Sequence, residues 1–194
     1  MIKIFKNLLN ICNKKWYNPT KDMDIGGIKL YRALEVARYI INYANDNKMI
    51  ISNLKLQKIL YFIQLEFLIK NAKRQCFSDE IEAWDFGPVV PAVYHEFKKY
   101  GALGIPKITY IYDDSNGLFN IKKVPYESNI IEKDREIIND VVNECSKYSA
   151  SQLVEITHNH SPWINAYASG KNSVITIPSL IKFINSIPGE KING

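Results

Sequence analysis

Residues 80–100, EIEAWDFGPVVPAVYHEFKKY, constrain the fold more than any other stretch, because Trp84, the pair Gly87-Pro88 and Pro91 fall within a few positions of one another. Each proline fixes φ and deletes a backbone donor, so neither suits a helix interior or a central strand, while the glycine opens backbone conformations closed to other residues. On the N-terminal side, Ile81, Ala83 and Asp85 alternate with Glu82, Trp84 and Phe86 as on a short strand. The order predicts a strand, a turn at Gly87-Pro88, and a helix that takes Pro91 at its first position, where the missing N–H costs nothing. None of these residues forms a nucleophile with its base or a metal cluster. The segment reads as shape held rigid rather than as reactive chemistry.

Helical periodicity covers most of the rest. Residues 32–46 carry Leu34, Ala37, Ile40 or Ile41, and Ala44 on one face. Ser52 and Asn53 are good N-caps for a second helix bearing Leu56, Ile59, Leu60, Ile63 and Phe67, and the two helices are expected to form a hairpin. On the second, Lys58 is expected to run its stem over the surface beside a half-buried Tyr61. A short helix at 91–100 presents Val93, Tyr94 and Phe97 and stops at Gly101. Another at 132–148 turns Ile137 or Ile138, Val141, Val142 and Cys145 inward. Ser149 with Gln152 spells a capping box for a helix at 150–158 carrying Leu153, Val154 and Ile156. HNHSPW at 158–163 interrupts, Trp163 to Ala168 starts a further turn or two ending at Gly170, and Pro178 opens a last helix at 179–187. Two β-rich runs, 107–112 and 118–124, flank Asp113-Asp114-Ser115-Asn116-Gly117 and predict a hairpin around Asn116-Gly117. The expected fold is mainly α, a single-domain helical fold with a small β element: a strand near Trp84 and that hairpin. A chain of 194 residues that is 46% hydrophobic, without a Pro/Gly/Ser-rich linker, has enough material for one core.

Residues 1–28 read as an amphipathic extension, with Ile4, Phe5, Leu8, Leu9 and Ile11 on one stripe and Asn18-Pro19 and Gly26-Gly27 as punctuation. Its apolar face is expected to pack on this chain, with a partner as the second choice. Lys3, Lys6 and the asparagines break the apolar run, so it does not read as a targeting segment. Nothing approaches the ~20 apolar residues of a membrane span, and a cytoplasmic protein is expected. The net charge of +5 is dispersed among acidic residues with no Arg-rich stripe, which argues against direct contact with nucleic acid. Cys12, Cys76 and Cys145 are odd in number and far apart, as reduced thiols are.

Reactive constellations are sparse. His158 and His160 invite a metal reading, but His95 and Cys145 belong to other helices and supply no evident third ligand; neither metal nor cofactor is expected. His158 is expected instead to satisfy backbone groups after a helix end. There is no G-x-S-x-G elbow, no G-x-x-x-x-G-K-[ST] and no G-x-G-x-x-G, and Asp79-Glu80 and Asp113-Asp114 suit turns better than an acid–base dyad. An enzyme is therefore not expected. The surviving catalytic alternative is a hydrolase or transferase using His158 or His160.

Three segments together resemble a known family: LKLQKILYF at 54–62, IEAWDFGPVVPAVY at 81–94, and 153–163 with Thr157-His158 and Pro162-Trp163. They are similar to the Panacea domain, also called the SocA-like antitoxin domain. The resemblance covers residues 34–187, so 29–194 is assigned as that domain and 1–28 as an extension. It implies a mainly helical fold with a small β element, and an antitoxin that neutralises a toxin or effector by direct contact. In one branch the antitoxin is an adaptor delivering the toxin to a protease, and many members occur on phages and mobile elements. The chain departs from the family at Ile59, at Gln64-Leu65-Glu66 and at Asn159-His160-Ser161. Carried over residue by residue, Lys58, Tyr61, Trp84, Phe86, Gly87, Pro88, Val89, Pro91, Tyr94, Thr157, His158, Pro162 and Trp163 are the candidate partner-binding or scaffold positions. Trp84, Gly87, Pro88, Tyr94, His158 and Trp163 are expected to build core and fix loops first, and to line a groove second. The alternative context is a phage-borne, anti-CRISPR-like inhibitor of a host immune effector; a homo-oligomer is left open.

Overall fold

A single helix, residues 53–70, organises everything else. The computed structural model describes residues 30–113 and 121–187; the extension at 1–28, Cys12 and the Asn116-Gly117 turn lie outside the described residues. In chain order the elements are α1 (Ala33–Asp46), α2 (Asn53–Lys70), β1 (Glu82–Trp84), β2 (Gly87–Val89) and α3 (Pro91–Phe97) with a 3₁₀ turn (Lys98–Tyr100). The strands β3 (Tyr110–Asp113) and β4 (Lys122–Pro125) follow, then α4 (Glu132–Ser146), α5 (Ala150–His158), α6 (Ser161–Ser169) and α7 (Ile177–Asn185). The fold is mainly α with two small two-stranded sheets among the described residues. No described helix is long and apolar enough to cross a membrane.

The organising helix α2 starts at Ser52, whose hydroxyl accepts from Lys55 N. It is buried along its length, from Lys55 to Leu68, and packs against α1, α3, α4, α5, α7 and β2. A helix enclosed on every side has no solvent face on which to place polar residues. Its polar side chains instead tie down irregular backbone. Gln64 Oε1 accepts from Cys76 N at 3.1 Å, its Nε2 donates to Phe77 O at 3.3 Å, and Lys55 Nζ donates to Ser146 O at 3.3 Å. A buried backbone group left without such a partner costs about 1–3 kcal/mol, so these contacts decide where the connecting segments dock.

Against it, α1 lays the stripe Ala33, Val36, Ala37, Ile40, Ile41 and Ala44. On its other flank, Tyr39 and Tyr43 donate to Asn139 and Asn143 of α4. Just before α1, Tyr31 donates to Asp134 Oδ2 at 2.9 Å and accepts from Ile131 N, while Asp134 is fully buried and paired with Arg74. Burial, above all, pushes the Tyr31 phenol up to about 12.

The strand near Trp84 is one arm of a hairpin: β1 and β2 are antiparallel, with Glu82 opposite Val89 and Trp84 opposite Gly87. The expected turn at Gly87-Pro88 is corrected to Asp85-Phe86. Gly87, at φ +95°, takes the fourth place of that turn, and Pro88 lies within β2. The outer edge of β1 is covered by the chain following α6: Ala83 N donates to Ser173 O at 2.9 Å and Ile175 N to Ile81 O at 2.7 Å. The second hairpin pairs Tyr110 with Pro125 through Asp113 with Lys122.

Candidate functional site

The three separated motifs converge on β2. From α2, Lys58 Nζ donates to Pro88 O at 2.8 Å; from the end of α5, Thr157 closes on the same strand. A Cβ on Gly87 would stand 2.8 Å from Thr157 Oγ1 and 2.9 Å from Lys58 Nζ, so the helices approach β2 as closely as a bare backbone permits. Gln57, one residue before Lys58, accepts from Val90 N at 3.0 Å and donates to Asn53, whose Nδ2 donates to Tyr94 O. Pro91 occupies the first turn of α3 and Pro162 that of α6, as a missing N–H allows.

The turn is gripped from the far side by α6. Trp163 Nε1 donates to Trp84 O at 3.1 Å, and the Trp163 ring stacks on His158 with centroids 4.0 Å apart and on Tyr167 at 4.8 Å. Trp84 Nε1 donates to Glu82, and its ring meets Tyr94 edge-on at 4.9 Å. The result is a frame: a two-residue turn, Asp85-Phe86, held from both sides by indole and amide contacts. Phe86 at its tip is 68% exposed.

Next to the turn lies a groove of about 510 Å³ lined by Leu54, Trp84, Phe86, Val89 and Tyr94 with Asn53, Gln57, Asp85, Lys98, Gly101, Lys171 and Asn172. Trp84 and Tyr94 are half-buried and so both brace the frame and face the groove. Tyr61 belongs to neither. It is enclosed in the core, and its hydroxyl meets His160 Nδ1 at 3.1 Å.

Lys58 corrects the surface expectation: it is wholly buried. Its position on the helix is right for a motif, but α2 has no outside. Burial lowers its ammonium from the ordinary 10.5 to about 7. His160 is likewise enclosed, against Tyr61, Phe62 and Phe183, and burial lowers it to about 3, which keeps it neutral. His158 is lowered by burial first and by the Lys58 charge second, with an Asp85 backbone group opposing. The two histidines thus point into different surroundings, one on Trp163 and one in the core, and share no reaction centre. Among the described residues no three of His, Cys, Asp and Glu come together as a metal site.

Sequence reasoning gave no site role to Gln57, Lys98 or Lys171, and read Asn53 only as an N-cap, whereas it lies in the first turn of α2 behind Ser52. Gln57 and Gln64 carried a readable signal, as amides spaced seven apart in an otherwise apolar helix. Lys98 and Lys171 carried none, since only folding brings them together.

The family model described as Antitoxin SocA-like, Panacea domain matches residues 56–164, from α2 through the turn to α6. The chain belongs to this family. The Antitoxin SocA of Caulobacter vibrioides (strain NA1000 / CB15N) is 36% identical over 132 residues, which span 68% of this chain and 68% of that protein. No solved structure matches the chain at a significant level. The three segments singled out in the sequence, 54–62, 81–94 and 153–163, lie on the frame described above, one on the central helix, one on the hairpin and one on the α5–α6 corner, and all but residues 54–55 fall within the matched range.

Proposed function

We propose that this Panacea protein is an antitoxin that neutralises a toxin or effector protein by direct contact, by covering the partner's working surface rather than by catalysis, and that it acts in the cytoplasm through residues 29–194. The observation that carries this reading is the exposed Phe86 on a turn braced by Trp84, Trp163 and Tyr94, in a chain of the antitoxin family. Rigid presentation lowers the ordering cost of association, so a preformed aromatic tip suits a binding surface. Three groups with chemical potential are occupied in structural contacts: Lys58 holds β2 through Pro88 O, His160 meets the Tyr61 hydroxyl in the core, and Thr157 donates to Val154 O within α5.

Co-expression with the product of the neighbouring gene tests the reading. Growth rescue together with a co-eluting complex on gel filtration is the expected result. If toxicity persists and no complex forms, the antitoxin reading fails. If rescue disappears on removing a host protease while the complex remains, the contact stands and occlusion gives way to delivery for degradation.

A further inference from the structure

The groove beside the Asp85-Phe86 turn has a chemistry that specifies more than "a protein partner". We infer that it receives a linear segment of the toxin in which a large apolar side chain is followed or preceded by a carboxylate; this rests on the antitoxin reading. Three observations carry it.

The first is apolar surface placed where the turn does not require it. Asp85-Phe86 occupies the two central places of a turn that most residues can fill, yet Phe86 is a full aromatic ring, 68% exposed, facing the groove with Trp84, Leu54 and Tyr94. At about 510 Å³ the groove is of the size that holds a side chain with its adjoining backbone.

The second is that the floor does not compete for a ligand. The amides of Gln57 and Asn53 run in a chain from Val90 N to Tyr94 O, so they hold the walls at a fixed spacing. Selectivity then falls to shape and to charge.

The third is the sign of that charge. Two ammonium groups, Lys98 and Lys171, line the groove against one carboxylate, Asp85. Asp85 is already engaged by the Tyr167 hydroxyl at 3.1 Å and by Lys171 at 3.8 Å. Lys98 has no ion pair among the described residues, so the uncompensated charge is positive and complements an acidic side chain. An apolar anchor fixed by aromatic walls, with a charged rim, is the arrangement in which a few residues dominate affinity.

The test uses the full chain and the purified product of the neighbouring gene. Titration calorimetry of the wild type, Phe86→Ala and Lys98→Glu is read beside Tyr112→Ala on the β3–β4 hairpin, a residue 75% exposed. Phe86→Ala is expected to weaken binding about 10- to 100-fold without moving the melting temperature, as anchor removal does. Lys98→Glu should weaken it and flatten its salt dependence, and Tyr112→Ala should leave it unchanged. Overlapping synthetic peptides covering the partner's sequence should bind only where a Phe, Trp, Tyr, Leu or Ile neighbours Asp or Glu. A complex that forms with unchanged affinity for Phe86→Ala and Lys98→Glu overturns the groove assignment and leaves the antitoxin reading intact. No complex with the wild type removes both. A gel-filtration dimer that Phe86→Ala dissociates, or tight capture of a fluorescent single-stranded oligonucleotide in place of the peptides, also overturns it, by assigning the groove to a second copy or to nucleic acid.

Discussion

Gly87→Ala should be far more damaging than its single methyl group suggests. The backbone there has φ +95°, a conformation that side-chain-bearing residues adopt at a cost of about 1–3 kcal/mol. The new methyl would also stand 2.8 Å from Thr157 Oγ1, 2.9 Å from Lys58 Nζ and 3.0 Å from Lys58 Cε. Neither neighbour can withdraw: Thr157 is short and buried and bonds to Val154 O, and Lys58 is enclosed and bonds to Pro88 O. Overpacking of that kind adds about 1–3 kcal/mol, for a combined loss of about 2–6 kcal/mol. Domains of this class have about 5–15 kcal/mol in all, so the variant should fold but marginally. With a urea slope near 2.5 kcal/mol/M, the unfolding midpoint should fall by about 0.8–2.4 M. Gly101→Ala is the matched control, because Gly101 also has positive φ, +55°, but nothing lies within 4 Å of its would-be Cβ. That variant carries only the conformational part, a shift of about 0.4–1.2 M. If the two variants show equal shifts, the close approach of Lys58 and Thr157 to β2 is wrong, and with it the convergence of the three motifs.

Lys58→Met tests the buried ammonium by pH. Burial lowers Lys58 from 10.5 to about 7 in the folded state, so across that window the unfolded chain holds a proton the folded protein has released, and stability rises with pH. Relative to the Met variant, urea titrations should show the wild type gaining up to about 1.4 kcal/mol per pH unit between those limits; parallel profiles would refute it. His160 gives the acid counterpart. Lowered from 6.5 to about 3, it stays neutral while the unfolded chain takes up a proton, so stability falls as pH drops through that range, and His160→Asn should flatten this limb. An unchanged limb counts against a buried neutral imidazole. Trp163→Phe keeps a ring on His158 but deletes the donor to Trp84 O, and should cost about 1–2 kcal/mol in thermal melts while leaving partner affinity intact below the transition. Lost affinity at unchanged stability would move Trp163 from the frame to the contact surface.

Much of the local architecture was legible along the chain. The Ser149 capping box forms as spelled, with its hydroxyl accepting from Gln152 N and Gln152 Oε1 accepting from Ser149 N, and α5 starts at Ala150. Ser52 caps α2, and Pro91 opens α3. The turn of the Trp84 hairpin lay two residues from its expected place, because a Gly-Pro pair marks a special backbone but not whether it forms the turn or the strand behind it. Lys58 and Tyr61 were misplaced for a different reason. Periodicity assigns an outside to every helix, and α2 has none.

What sequence alone determined is therefore the existence of the described helices, the caps at Ser52 and Ser149 and the place of Pro91, because these depend on φ, ψ and hydrogen bonds among residues a few places apart. Only the tertiary structure decided that a lysine is sealed beneath Pro88, that Trp163 holds the carbonyl of Trp84 across 79 positions of sequence, and that Lys98 and Lys171 border one groove. Burial and charge environment are sums over neighbours from distant segments, and no local pattern encodes which segments will be near.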